Sequence, residues 1–341
     1  MTSTEATETT LSGLTFPAPV FRQIAPQKYL LRHLQSTPST RPSSRRPDEF
    51  RPATLHANAL SHAHGSAVVR MGDTAVVAGV RGEVLNLLHG EGKERGAVKL
   101  RFEEMEELEE DDDDQGETVR GMGLVVPNLE LGTGCTHNYH PGPPSDFAQS
   151  TAERLRSLLL DTLHLIPTST LRITHLDPAT GTTDTKAFWV LYIDIVCISL
   201  DGNILDAALA ATVAALKATK LPIARWDADK EQVVCSRDET RKLDISGGLA
   251  FTASFGIVGH KDEEEQENGG DATMKKWVLC DLDEFEEEVV TEKVMVCIRD
   301  GEKIAKLEKA GGVVAGTEEM MECVRRAKER YRELEKLVSA V

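Results

Sequence analysis

The spacing of apolar positions changes several times along the chain, and each change marks an element. In GSAVVRMGDTAVVAGVRGEV the runs Ala67–Val69 and Thr74–Ala78 flank Gly72-Asp73, which predicts a β-hairpin. FWVLYIDIVCISL (188–200) is almost continuously apolar, the pattern of a strand covered on both faces. After Asp201-Gly202-Asn203 the period lengthens. Leu205, Leu209, Val213 and Leu216 recur at helical spacing, among alanines small enough to let a helix lie close to a sheet. AQSTAERLRSLLLDTLHLI predicts an amphipathic helix with Ala148, Ala152, Leu155, Leu158 or Leu159, and Leu163 on one face. GGLAFTASFGIV (247–258) and the runs 277–280 and 294–298 predict further strands. FRQIAPQKYLLRHL predicts a short helix started by Pro26, and TEEMMECVRRAKERYRELEKLV a closing helix with Thr317 as N-cap. Hairpins mixed with strand–helix pairs give an α+β class, with helices packed on sheets.

Polar composition sets the boundaries. Residues 1–19 predict a disordered N-terminal extension, and 20–341 one domain. Two acidic inserts, near 103–118 and 261–273, interrupt it; EEMEELEEDDDD holds ten acids in twelve positions and predicts a solvated loop. The segment QSTPSTRPSSRRPDEFRP predicts a Pro/Ser/Arg loop, and its Arg41, Arg45, Arg46 and Arg51 form the main basic cluster.

Charge narrows the function. A formal net charge of −17 argues against a broad nucleic-acid surface, because neutralising phosphates takes clustered Lys and Arg. Six scattered cysteines, with no CxxC pair, suit a reducing compartment and match no common zinc spacing. With no basic-then-apolar start and no run of membrane-spanning length, the expectation is a soluble intracellular protein.

The sharpest candidate for chemistry is a cluster of seven carboxylates, Asp281, Asp283, Glu284, Glu286, Glu287, Glu288 and Glu292, set between two strands. It has two readings, a metal or acid/base site and a solvated connection. Other motifs are weaker. His62-x-His64 and His137-x-x-His140 lack a second set of ligands at a recognised spacing. Gly132-x-Gly134 is no dinucleotide fingerprint, and Ser246-Gly247-Gly248 is no nucleophile elbow. No metal site and no cofactor is expected.

Five stretches in order, GSAVVRMGDT, PGPPSD, DGNILDAALAATVAAL, SGGLAFTASFGIV and DLDEFEEE, resemble the RNase PH-like family over roughly residues 20–340. The DGN-x-LDAA form is similar to that of the family's ring subunits in the RNA exosome. The resemblance implies an RNase PH-like fold (ribosomal protein S5 domain 2-like) of repeated β-α units. It also implies assembly into six-membered rings around a channel that admits single-stranded RNA. Active members cleave RNA from its 3′ end with inorganic phosphate.

Phosphorolysis needs cations to hold phosphate beside RNA, because both reactants are anions. Aligned without gaps, the helix positions that carry arginines in active members hold Glu153, Ser157 and Leu160 here. The corner places Asn203, followed by Ile204, Leu205 and Asp206, where active members have Gly, Thr and Arg. The two aspartates expected six and twelve residues after Asp281 are replaced by Glu287 and Lys293. The expectation is a degenerate site with no catalytic residues, its remaining acids solvated on a strand connection.

Three functional readings follow: a non-catalytic ring subunit, an active phosphate-dependent 3′–5′ exoribonuclease, and an acidic adaptor for basic partners. The first is preferred. It implies as partners the other RNase PH-like ring subunits, S1/KH cap subunits, an associated exoribonuclease and single-stranded RNA in the shared channel, with no membrane. It also implies a role in RNA processing and degradation, ribosomal RNA maturation included, in the nucleus, nucleolus and cytoplasm. Arg81, Arg45 and Arg46 are the candidate RNA contacts. For each the competing reading is structural: an interface ion pair for the loop arginines, a local role on its strand for Arg81.

Overall fold

The computed structural model describes residues 16–86, 122–136, 139, 142–176, 181–245, 248–261, 274–312 and 314–340. Both acidic runs, 103–114 and 262–271, lie outside the described residues, as do His137, His140, Ser246, Gly247 and most of the predicted N-terminal extension.

Two compact units result. The first, up to Pro47, holds two helices, α1 (Ala18–Ile24) and α2 (Pro26–Leu34), where one was predicted. Pro26 begins α2 at a position where its missing N–H costs nothing, and Ala25 (φ −140°) breaks the run before it. The second unit, from Asp48 onward, carries everything else.

Its first sheet has the order β1-β2-β3-β6-β4, formed by β1 (Ala53–Ala57), β2 (Gly65–Met71), β3 (Thr74–Asn86), β4 (Val125–Leu131) and β6 (Thr183–Ser199). The predicted hairpin is present, with Met71 opposite Thr74. Gly72 supplies the positive φ of its two-residue turn (+59°). β6 pairs antiparallel with β3 along one edge. Its other edge is shared by β4, the one parallel neighbour, and β5 (Arg172–Leu176). The expectation that the run 188–200 is covered on both faces holds only for its first four residues. Phe188–Leu191 are all buried, but beyond Tyr192 burial alternates and leaves Asp194, Val196 and Ile198 exposed. Val196 and Ile198 thus sit on an open sheet face together with Val126 of β4.

The helix α3 (Asp146–Ser157), N-capped by the Ser145 hydroxyl, runs into a single wide π-turn (Leu158–Leu163) that ends at a left-handed His164. A short α4 (Thr168–Leu171) leads to β5. After β6 comes α5 (Ile204–Ala218), of which every residue but Lys217 is buried; its alanines let it lie against β2, β3 and β9 at once. A hairpin of β7 (Lys220–Asp227) and β8 (Gln232–Lys242) forms its own two-stranded sheet.

The second large sheet, order β10-β9-β11-β12, is antiparallel throughout: β9 (Ala250–Lys261), β10 (Met274–Cys280), β11 (Glu292–Arg299) and β12 (Lys303–Ala310). A short α6 (Glu284–Val289) joins β10 to β11. The closing helix α7 (Thr317–Ser339) packs on β9 and β11. Its N-cap is Gly316, one residue before the predicted Thr317, and Glu319 reaches back to accept from the Gly316 N–H at 2.6 Å. The α+β class and the helices packed on sheets are as the sequence predicts. Five of the six cysteines are buried, Cys235 being the exposed one, and burial pushes the Cys197, Cys297 and Cys323 thiols up to about 12, where they behave as small hydrophobes.

Candidate functional site

The acidic cluster is only partly solvated: Asp281, Glu286 and Glu292 are buried, against the sequence expectation, while Glu288 is exposed. Asp281, at the end of β10, has a left-handed backbone (φ 54°) and is 1% exposed. Its carboxylate lies against Arg51, which comes from the segment leading into β1. Arg51 Nε donates to Asp281 Oδ2 at 2.9 Å and Nη2 to Oδ1 at 2.8 Å, a two-pronged pair, and the Arg51 backbone N–H adds a third bond at 2.9 Å. Asn203 Nδ2 supplies a fourth, at 2.6 Å. Burial opposes the charge on Asp281, but the Arg51 guanidinium outweighs it and holds the carboxyl down at about 2.

The remaining Arg51 donors bind the neighbouring turns. Nη1 donates to the Asp201 carbonyl and, at 3.2 Å, to its carboxylate, while Nη2 also faces the Gly202 and Leu282 carbonyls at 3.4 Å. One buried cation therefore ties the corner that starts α5 to the corner that starts α6. Between them the backbones are tight: a Cβ on Gly202 (φ +71°) would fall 2.6 Å from the Leu282 carbonyl oxygen.

The other acids have structural partners as well. Asp283 and Glu286 form the capping box of α6. Glu292, 1% exposed, accepts from the Val314 and Ala315 N–H groups at 2.8 and 3.0 Å and pairs with Lys309 at 2.9 Å. Glu287 accepts from the Asn203 N–H at 2.9 Å, and burial raises its pKa in spite of nearby Lys293. Asp206, on the first turn of α5, turns to Ser254, accepting from its N–H at 2.8 Å and its hydroxyl at 3.0 Å; burial raises it too.

These corners form one wall of a cleft of about 640 Å³. α3 contributes Phe147, Thr151 and Arg154; the start of α5 contributes Asn203, Ile204 and Leu205; Lys293 of β11 and Lys309 of β12 face them. The helix face is therefore not the one the gapless alignment selected. Glu153 and Ser157 do not line the cleft, and Leu160, carried round by the π-turn, lines a small apolar cavity with Val125 and Ile193. Arg154 does line it, 2.9 Å from Glu308. Asn203, Glu287 and Lys293 line it as well. Asp206, expected on the corner beside them, is withdrawn into the core.

The candidate RNA contacts lie elsewhere. Arg81, on β3, is exposed, pairs with Glu83 at 3.1 Å and lies 5.7 Å from the Tyr192 ring centroid. Arg45 Nε donates to Ser43 in the first unit, which also holds Arg46. His62 is exposed, and His64 Nδ1 accepts from the Gly82 N–H at 3.0 Å. Among the described residues no group of three His, Cys, Asp or Glu side chains is placed to hold a metal.

Sequence reasoning missed Arg51 and Lys309. Arg51 was counted with the loop arginines; the one local signal is its position beside the first strand, away from Arg41, Arg45 and Arg46.

Two sheets wrapped around an apolar helix, with a cleft at that helix's N-terminal corner, define the class. Residues 49–222 match the 3′ exoribonuclease family, domain 1 (RNase PH), and the chain belongs to that family. Within it, the chain is similar to exosome complex component rrp43 of Schizosaccharomyces pombe, 30% identical over 325 residues that cover 94% of this chain and 99% of that one. It is also 23% identical over 286 residues, 84% of each chain, to exosome complex component Rrp42 of Methanothermobacter thermautotrophicus. Among solved structures it shares the fold of a chain of the Archaeoglobus fulgidus exosome with RNA bound to the active site, with a TM-score of 0.63, 22% identity and coverage of 93% and 98%.

Proposed function

We propose that the chain is a non-catalytic ring subunit of the RNA exosome. In this reading it supports 3′-to-5′ processing and degradation of RNA, ribosomal RNA included, by forming part of a channel and interfaces for other subunits. Its similarity to an exosome component over almost the whole chain supports the assembly, and the open apolar face around Val126, Val196 and Ile198 suits burial against a neighbour. The partners would be other RNase PH-like subunits, S1/KH cap subunits, an associated exoribonuclease and single-stranded RNA. The compartments would be the nucleus, nucleolus and cytoplasm.

One observation carries the reading that catalysis is lacking: Lys293 lines the cleft where the family's second acid would stand, and Glu287 beside it accepts from the Asn203 N–H at 2.9 Å. The cleft cations are also engaged, Arg154 with Glu308 and Lys309 with Glu292, and Lys293 stands where an acid is needed.

The test adds inorganic phosphate and RNA to a ring whose other subunits are inert. No nucleoside diphosphate should be released; release that disappears on Glu287→Ala would make the chain an active exoribonuclease. Copurification with other RNase PH-like subunits tests the assembly.

A further inference from the structure

We infer that the hollow between β5, β6 and the β7–β8 hairpin binds one nucleotide, its base inside and its phosphate at the rim. The hollow measures about 130 Å³ and shares no lining residue with the cleft. It lies beside the strand that follows α5, while the cleft lies at the start of α5, a helix of fifteen residues and so roughly 22 Å long.

Its floor is apolar. Ile173, Trp189, Leu221 and Leu243 are buried, and Pro222 adds an apolar ring. Gly82 stands behind this floor: a Cβ there would fall 2.7 Å from Leu221 Cδ2 and 3.2 Å from Trp189 Cε3, so the indole and the leucine occupy the space a side chain would need. The rim is cationic: Arg172, Arg241 and Lys242 line it, and no carboxylate does. Arg241 Nη2 donates to the Thr170 carbonyl at 2.8 Å, which anchors the guanidinium and leaves most of its five donors for a ligand. The nearby Glu239 is engaged across the hairpin with Arg225.

Size and chemistry select the occupant. At about 30 Å³ per water the hollow holds roughly four waters, well below the several hundred Å³ of a pocket for a larger ligand. It has room for one planar ring system. A ring on the apolar floor gains by burial, and an attached phosphate meets a bidentate Arg donor and a Lys. A bare anion would leave the floor wet, and an acidic side chain would leave it unfilled. The ligand is therefore a nucleoside monophosphate, free or as one unit of single-stranded RNA.

Calorimetric titration of the full chain at low salt tests this with AMP, a five-nucleotide adenosine RNA, inorganic phosphate and a hexaglutamate peptide. AMP and the RNA are expected to bind and to compete, with inorganic phosphate and the peptide at least tenfold weaker. RNA binding much tighter than AMP assigns the site to RNA; equal affinities assign it to the free nucleotide. The double change Arg241→Glu with Lys242→Glu, on exposed side chains, is expected to weaken AMP at least tenfold, with a melting temperature lowered by no more than the loss of the one Arg241–Thr170 hydrogen bond. Arg172→Gln gives an independent loss. Phosphate or hexaglutamate binding as tightly as AMP, no binding of AMP at all, or AMP binding abolished by Lys293→Ala in the cleft would each overturn the assignment.

Discussion

Arg51 and Asp281, 230 positions apart in sequence, form a buried two-pronged ion pair at 2.8 and 2.9 Å, and through it the start of β1 holds the corners that open α5 and α6. Removing one partner leaves an uncompensated buried charge, which typically costs about 3–5 kcal/mol. Arg51→Met is expected to lower unfolding free energy by about that much and to loosen both corners. Chemical denaturation and hydrogen exchange at Asn203 and Leu282 measure it. A loss under about 1 kcal/mol would mean the pair is not formed.

The same pair sets a pH dependence. Asp281 has its carboxyl lowered to about 2 in the folded chain from an ordinary value of 3.8. Its contribution, about 2 kcal/mol, is therefore complete above pH about 4 and is lost as pH falls through about 2. In Asp281→Asn this part of the acid destabilisation should be absent. Denaturation midpoints of both proteins between pH 2 and pH 5 check the sign.

Glu292 holds the chain between β12 and α7 through the Val314 and Ala315 N–H groups. Glu292→Ala leaves those donors without their acceptor and is expected to cost about 1–3 kcal/mol, together with faster amide exchange at 314 and 315. Unchanged exchange at both positions would refute this.

In the cleft, restoring an acid should not restore chemistry. With Arg154 paired to Glu308 and Lys309 to Glu292, no cation is left to hold phosphate, and Lys293→Asp alone is expected to release no nucleoside diphosphate from RNA with phosphate. It should also raise the Glu287 pKa further, because Lys293 lowers it at present. Carboxylate titration by NMR reads the shift, and product analysis the activity.

Arg81 is exposed beside Glu83 and over Tyr192, and so is available to a strand passing the β3 face. Arg81→Glu in an assembled complex is expected to reduce RNase protection of threaded single-stranded RNA with assembly intact. An unchanged length and amount of protected RNA would assign Arg81 to a local ion pair alone.

What the sequence determined by itself was the set of strongly periodic elements; β1, β4, β5, β7, β8 and β12 were not read from it. Strand and helix periods depend on neighbours two to four positions away, so the Gly72-Asp73 hairpin, α5 and the strands β9, β10 and β11 were legible from local spacing, but not the order β10-β9-β11 in which they pair. The tertiary structure decided where the polar groups went. Asp281 looks solvated in sequence because its partner, Arg51, comes from the other end of the domain, and only the fold brings the two within 3 Å. The cleft face of α3 was misread for a related reason. A gapless alignment took Glu153, Ser157 and Leu160 as the cleft positions, whereas the face that turns to the cleft is Phe147, Thr151 and Arg154, and the π-turn at Leu158–Leu163 carries Leu160 to another cavity. Apolar burial is written locally as a pattern. The compensation of a buried charge is set by one distant residue, and no local pattern records it.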